Sequence, residues 1–327
     1  MTKKKTAIVL FQLGGPDSLE AVEPFLYNLF CDPDIIDVPG AFLFRKALAR
    51  LISSRRAPKT RELYKRIGGS SPILPQTKAQ AQRLREMLGE RGIAVDVHIA
   101  MRYWHPMTDA VIEQIKKDDV NEVIFLPLYP HYSKATTGSS MNEWSRVAHA
   151  MSLSPLSTKL IESYHDHPLY IDALIENISR ALQQVPANER QKVHLVFSAH
   201  GTPMKLVREG DPYSHQIQKT YALVVEKGNF GLPHHLCFQS KVGPQRWLEP
   251  SLIQMISDLA RQKVSHLVVV PVAFVTDHIE TLSEINIEAR EQALSLGVKY
   301  FGMMPPLIDN KKFISCLADL VEKQLEP

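Results

Sequence analysis

Two stretches of the chain carry residues whose types and spacing could do chemistry. The first is LVFSAHGTP, residues 195–203, where an apolar, β-rich run ends near His200 and turns at once through Gly201 and Pro203. Glycine lets a ligand approach the backbone and proline fixes the turn, so the imidazole is held on a rigid element at a strand end. The second is PVAFVTDHIETLSEINIE, residues 271–288, which also follows an apolar run and sets Asp277, His278, Glu280, Glu284 and Glu288 close together. Neutral imidazole accepts protons near neutral pH. An imidazole from the first stretch with one carboxylate from the second would make a mixed nitrogen–oxygen site for ferrous iron or another borderline divalent metal, bound less tightly than by thiolates. Such a site can release its metal. Glu280, Glu284 and Glu288 recur every four residues, so on a helix they share a face. A row of carboxylates could bring metal in or lead protons out. The plain alternatives are a loop histidine that only hydrogen-bonds locally and an acidic face turned to water.

The elements that must position these groups can be read from periodicity. Short Val/Ile/Leu-rich runs at Ala7–Gln12, Ala94–Ala100, Glu122–Leu128, Val193–Ala199, His235–Gln239 and His266–Val272 predict strands. Amphipathic stretches at Thr77–Leu88, Asp109–Lys117, Tyr170–Leu182, Ser251–Arg261 and Phe313–Leu325 predict helices between and after them. Apolar strands alternating with helices imply an α/β chain with parallel sheets covered on both faces. The two halves look alike. Shifted by 144 residues, Arg102–Asn142 falls on Arg246–Asn286 without a gap, pairing Pro106 with Pro250, Pro127 with Pro271, Thr137 with Thr281 and Ser139 with Ser283. At another offset, LFQLGGP (10–16) matches FSAHGTP (197–203). In these alignments Leu13 stands where the second half has His200, and Thr136 where it has Glu280. The candidate chemistry is therefore confined to one copy. Ligands of open parallel sheets bind beyond the carboxyl ends of the strands, which is where both candidate stretches lie. The expected layout is an N-terminal domain over 1–150, a C-terminal domain with the metal site over 151–308, and a closing helix over 309–327 that docks back.

Composition removes several classes. With 38 basic and 35 acidic residues, the net charge of +3 gives no reason to expect a nucleic-acid partner. The three cysteines, Cys31, Cys237 and Cys316, form no close pair and suggest free thiols in a reducing compartment. The short apolar run after MTKKK is too brief for a signal-peptide core, and no apolar stretch is long enough to span a membrane. The chain is expected to be cytoplasmic, with any membrane contact peripheral at the inner face. Ser198 is not in a G-x-S-x-G turn, and neither a P-loop nor a G-x-G-x-x-G fingerprint is present.

LVFSAHGTPMKLVREGDPY (195–213), FQSKVGPQRWLEP (238–250) and VAFVTDHIETLSEINIE (272–288) resemble signature segments of the ferrochelatases. So do LFQLGGPDS (10–18), RRAPKTRELYKRIGGSSPI (55–73), MRYWHPMT (101–108) and LPLYPHYSKATTGSSMN (126–142), in the same order along nearly the whole chain. The resemblance implies two similar Rossmann-like domains around a porphyrin cleft. It implies a lyase that inserts ferrous iron into protoporphyrin IX as the terminal step of haem biosynthesis. His200 and Glu280 would be the catalytic and metal-holding residues, with Asp277, His278, Glu284 and Glu288 as supporting acids or a proton path. Porphyrin contacts are expected from Leu13, Arg56, Lys59, Ser71, Arg102, Tyr103, Tyr129 and Trp247. Iron enters as substrate, with no tightly bound cofactor. The cysteines do not form the cluster-bearing tail of animal ferrochelatases, so the bacterial type without an iron–sulfur cluster is expected.

The reaction explains the residue types. Two pyrrole protons must leave before iron can enter the ring, so a base must stand on one face, and a bent macrocycle turns its lone pairs toward that face. His200 is the expected base. Porphyrin itself needs an apolar cleft with cations at the rim. GAFLFRKALARLISSRR (40–56) interleaves both kinds of residue, either as a packed amphipathic helix or as a cleft lip resting on an anionic membrane surface. Rival readings are a chelatase acting on coproporphyrin or another tetrapyrrole, and a porphyrin or haem carrier without turnover.

Overall fold

The protein is described by a computed structural model over residues 5–35, 44–241 and 245–326. It divides into two units, Met1–Ser163 with Ile314–Pro327, and Tyr164–Phe313. The first unit contains β1 (Thr6–Gln12), α1 (Val22–Cys31), α2 (Arg45–Arg66), α3 (Ile73–Glu90), β2 (Asp96–Met101), α4 (Thr108–Lys117), β3 (Glu122–Pro127), a π-helical segment π1 (Lys134–Gly138), α5 (Ser139–Ala150) and β4 (Ser157–Leu160). Its four strands are parallel in the order β2-β1-β3-β4. Every residue of β3 is buried, as expected for a central strand with both faces covered. Phe11 and Phe125 stack from neighbouring strands with ring centroids 5.2 Å apart, and Trp144 of α5 meets Phe125 edge-on at 4.8 Å. This unit runs past residue 150, to Ser163, because β4 pairs with β3 from Glu122↔Ser157 to Phe125↔Leu160.

The second unit contains α6 (Pro168–Gln183), β5 (Val193–His200), α7 (Met204–Arg208), α8 (Tyr213–Gly228), β6 (His234–Gln239), α9 (Leu252–Arg261), β7 (His266–Pro271), a longer π-helical segment π2 (Glu280–Ala289), α10 (Arg290–Ser295) and β8 (Tyr300–Met303). The strand order, β6-β5-β7-β8, repeats that of the first unit. The closing helix α11 (Lys311–Leu325) belongs to the first unit from Ile314 onward. There Arg91 Nη1 meets Asp319 and Glu322 at 2.7 and 2.8 Å.

The repeat extends to register. Phe11 pairs with Pro127 in the first sheet as Ser198 pairs with Pro271 in the second, and in both units a π-helical segment follows the third strand. The gap-free alignment fails at its start, however. Met101 bridges Met107, whereas Phe238 bridges Ser251, so the second copy holds extra residues between these points. By strand register, Met101 opposite Gln12 corresponds to Phe238 opposite Ala199. The counterpart of Arg102 is therefore Gln239, not Arg246.

β4 and β8 were not legible as strands. Each is only four residues long, partly buried and at a sheet edge, too short a run to stand out. Residues 40–43 of the lip segment lie outside the described residues. Its remainder forms Phe44 and the first half of α2. Among the described residues no helix is long and apolar enough to cross a membrane. Cys31, Cys237 and Cys316 are free thiols.

Candidate metal-transfer site

Two neighbouring strands bring the candidate groups together. β5 pairs on one side with β7 up to Ser198↔Pro271, and Val272 N continues the contact by donating to Ser198 O at 3.0 Å. On its other side β5 pairs with β6 as far as His200↔Gln239. His200 therefore stands at the carboxyl end of the sheet. The loop leaving β7 then carries Glu280, the first residue of π2, to within 3.2 Å of it, Oε1 to Nε2.

The imidazole's orientation is set by its other nitrogen. His200 Nδ1 lies 2.6 Å from the Gly201 carbonyl oxygen, which can only accept, so Nδ1 carries hydrogen and Nε2 faces the carboxylate. Glu280 Oε2 is held from the opposite side by His278 Nε2 at 2.9 Å. Both carboxylate oxygens thus face an imidazole. Burial alone would lower the His200 pKa, but the charge and hydrogen bond of Glu280, helped by Glu284, raise it to about 9. Burial alone would raise that of Glu280, but the opposing His200 charge and the hydrogen bonds from His200 and His278 hold it well below the usual carboxylate range. At neutral pH the resting pair is an imidazolium and a carboxylate. His278 is itself buried, its ring 4.6 Å from that of Phe274, and its Nδ1 has no hydrogen-bond partner among the described residues.

The acids beyond Glu280 step outward. Glu284 is half-buried, accepts from Ser240 Oγ at 2.5 Å, and is pushed up to about 7 by burial and the Glu280 charge. Glu288 is exposed and accepts from Ser283 Oγ at 3.0 Å. The segment has the wider π form rather than the α-helix expected, a form that recurs at functional sites. Asp277 does something simpler. Its Oδ1 accepts from Thr281 Oγ1 at 2.9 Å, and Thr281 Oγ1 in turn accepts from His278 N at 3.1 Å, which closes the turn entering π2.

Of the expected porphyrin contacts, Trp247 stands beside His200, with ring centroids 6.4 Å apart. The others lie in the first unit. Leu13 is half-buried just past β1, and Ser71 is buried, its main-chain N–H donating to Pro16 O at 2.8 Å. Arg56 and Lys59 are exposed on α2, with the Arg56 guanidinium 5.5 Å from the Phe30 ring centroid. Tyr129 is half-buried against the core cluster around Phe125. Tyr103 departs from expectation. It is fully enclosed, and its hydroxyl donates to Asp32 at 2.5 Å, so it presents no surface to a ligand. Arg102 is largely enclosed as well. Its Nη2 pairs with Asp32 Oδ2 at 2.9 Å and its Nε donates to Ser139 Oγ at 2.7 Å. Asp32 was not legible in the sequence. A single aspartate after a helix gives no sign that a tyrosine, a serine and an arginine from distant positions converge on it.

Two like parallel sheets with an imidazole–carboxylate pair at the strand ends of one of them define a chelatase-type α/β protein. The sirohydrochlorin chelatase SirB from Bacillus subtilis subspecies spizizenii shares this fold, with a TM-score of 0.51 at 10% identity over 98% of this chain and 94% of that one. The ferrochelatase family profile matches residues 5–325. A ferrochelatase of Aquifex aeolicus (strain VF5) is 46% identical over 98% of this chain and 100% of its own length. One of Geotalea uraniireducens (strain Rf4) is 48% identical over 98% of both. The chain belongs to the ferrochelatase family. It is a lyase, a metal chelatase of haem biosynthesis that inserts iron into a porphyrin.

Proposed function

We propose that the porphyrin is protoporphyrin IX and the product protohaem, and that the His200–Glu280 pair is where the metal and the pyrrole protons change places. The 3.2 Å contact, with Nδ1 committed to Gly201, carries this reading. In the resting pair Nε2 holds a proton. Ferrous iron arriving at Glu280 displaces that proton, which passes to Glu284 or to water, and Nε2 becomes a nitrogen ligand beside an oxygen ligand. Two ligands of this kind bind a divalent ion weakly enough to release it. When iron moves into the ring, two N–H bonds break. One proton returns to His200 Nε2 and restores the pair, and the second leaves by way of Glu284 and Glu288. The sum is one iron in and two protons out. Trp247 supplies an apolar wall next to His200.

Iron is handled as substrate rather than as a resident cofactor in this reading. The first half of α2 is proposed to rest on an anionic membrane surface at the cytoplasmic side. Exposed Phe44 and Leu51 stand there among exposed Lys46, Arg50, Arg55 and Arg56.

Initial rates with ferrous iron under anaerobic conditions test the substrate assignment. Protoporphyrin should turn over faster than coproporphyrin, read as loss of the free-base absorption bands. A preference for coproporphyrin would move the assignment to the ring with four acid tails.

A further inference from the structure

In each unit the residue at the matching register position at the end of the second strand reaches across to the segment following the third. In the first unit this is Arg102, which bonds Ser139 at the start of α5 and is neutralised by buried Asp32. In the second it is Gln239, at 5% exposure, whose Nε2 donates to the Glu280 carbonyl oxygen at 3.2 Å. Its Oε1 accepts from Ser198 Oγ at 2.8 Å, and Ser198 is completely buried. Its own carbonyl accepts from Gly201 N at 2.8 Å.

We infer that Gln239 is a positioning residue that fixes the separation between His200 and Glu280, an inference that rests on the role of that pair given above. Its main chain holds the turn that follows His200, and its side chain holds the main chain of Glu280. The amide cannot flip without loss. The Glu280 carbonyl only accepts, so Nε2 must face it, which leaves Oε1 for the Ser198 hydroxyl. Ser198 is completely buried, so no water substitutes readily at that end of the amide. The approach is close enough that a Cβ at Gly201 would lie 2.8 Å from Gln239 O and 3.2 Å from Trp247 Cε3, so only glycine fits the turn.

The residue type also follows from the chemistry. A cation in this position, as in the first unit, would stand beside the Glu280 carboxylate and cancel the charge that attracts the metal. A neutral amide grips the main chain and leaves that charge to His200 and iron. Neither glutamate nor methionine offers the same donor and acceptor at this length.

The test is steady-state kinetics of Gln239→Met, Ser198→Ala and His200→Ala with ferrous iron and protoporphyrin, with porphyrin KM and kcat resolved. A misplacement of about 1 Å can cost roughly 100-fold in rate. Gln239→Met is expected to lose about 10- to 100-fold in kcat, with porphyrin KM changed by less than about twofold. Ser198→Ala, which frees only one end of the amide, is expected to show a smaller loss of the same kind. It decides the matter if the methionine variant does not fold. A kcat within about twofold of wild type in Ser198→Ala and in any folded Gln239→Met, or a porphyrin KM that rises as far as kcat falls, overturns the assignment. His200→Ala separates the two claims. If it is inactive while Gln239→Met behaves as wild type, the pair stands and Gln239 is not its positioner. If it is active, the reading of the pair fails.

Discussion

His200 Nε2 lies 3.2 Å from Glu280 Oε1, while the imidazole's other nitrogen is committed to the Gly201 carbonyl. One nitrogen is therefore left, and in the proposed exchange the proton and the metal compete for it.

That competition has a sign. The His200 pKa is raised to about 9, so below that pH the imidazole holds a proton that a metal bound as proposed would displace. Metal affinity should weaken as pH falls through the neutral range, by up to about tenfold per unit for one displaced proton. Titrating the protein with cobalt(II) at pH 7 without porphyrin, in weakly buffered solution, should release about one proton per metal bound at this site. Binding without proton release, or with affinity independent of pH between 6 and 8, would remove the competition.

His278 should matter through Glu280. Its Nε2 donates to Glu280 Oε2 at 2.9 Å and helps hold the carboxyl well below its usual range. His278→Ala removes that bond, so the Glu280 pKa rises and the acid limb of the kcat profile moves to higher pH. A profile that keeps its acid limb in place would show that His200 alone holds the carboxylate.

The carboxylates of π2 should give graded losses. Glu280→Gln keeps shape but removes charge and should lose nearly all activity. Glu284→Gln, at a half-buried position, should lose less, and Glu288→Gln, at an exposed one, least, because water replaces an outer relay more readily. Glu284 is pushed up to about 7, so it can both take and give a proton near neutral pH. Initial rates against iron concentration and pH measure the series. Equal losses, or a larger loss at Glu288 than at Glu280, would leave Glu280 as a local ligand without a path behind it.

Much of this was legible in the residues, for reasons that can be stated. The central strands carry unbroken apolar runs because both faces are covered, so β1, β3, β5 and β7 stood out and fixed the parallel class. His200 and Glu280 were marked by position at strand ends and by their absence from the other copy. What stayed hidden was contact between distant polar residues. Asp32, Ser198 and Gln239 are ordinary in sequence and take their meaning from register and burial. The pairing of Arg102 with Arg246 misled because extra residues after β6 shift the register. Tyr103 misled because a motif gives residue order but not which way a side chain faces.

The α2 cations should act at a distance from the chemistry. Arg45 Nη1 already bonds the Asp32 carbonyl at 3.4 Å, so the cleaner set for charge reversal is Lys46, Arg50 and Arg55, all exposed. If this face meets an anionic surface as proposed, each would be worth about 1 kcal/mol. The triple variant should bind vesicles of anionic lipid far more weakly, while turnover of detergent-dispersed porphyrin stays near wild type. Unchanged vesicle binding would place this face of the helix in water.

The direct test of the His200–Glu280 pair is the absorption spectrum of protoporphyrin mixed anaerobically with ferrous iron and either wild-type protein or His200→Ala. Wild type should convert the free-base bands to those of haem. His200→Ala should bind the porphyrin, because the wall proposed at Trp247 is unchanged, and leave the free-base bands intact. Conversion by His200→Ala at a substantial fraction of the wild-type rate would contradict the placing of proton and metal exchange at this pair.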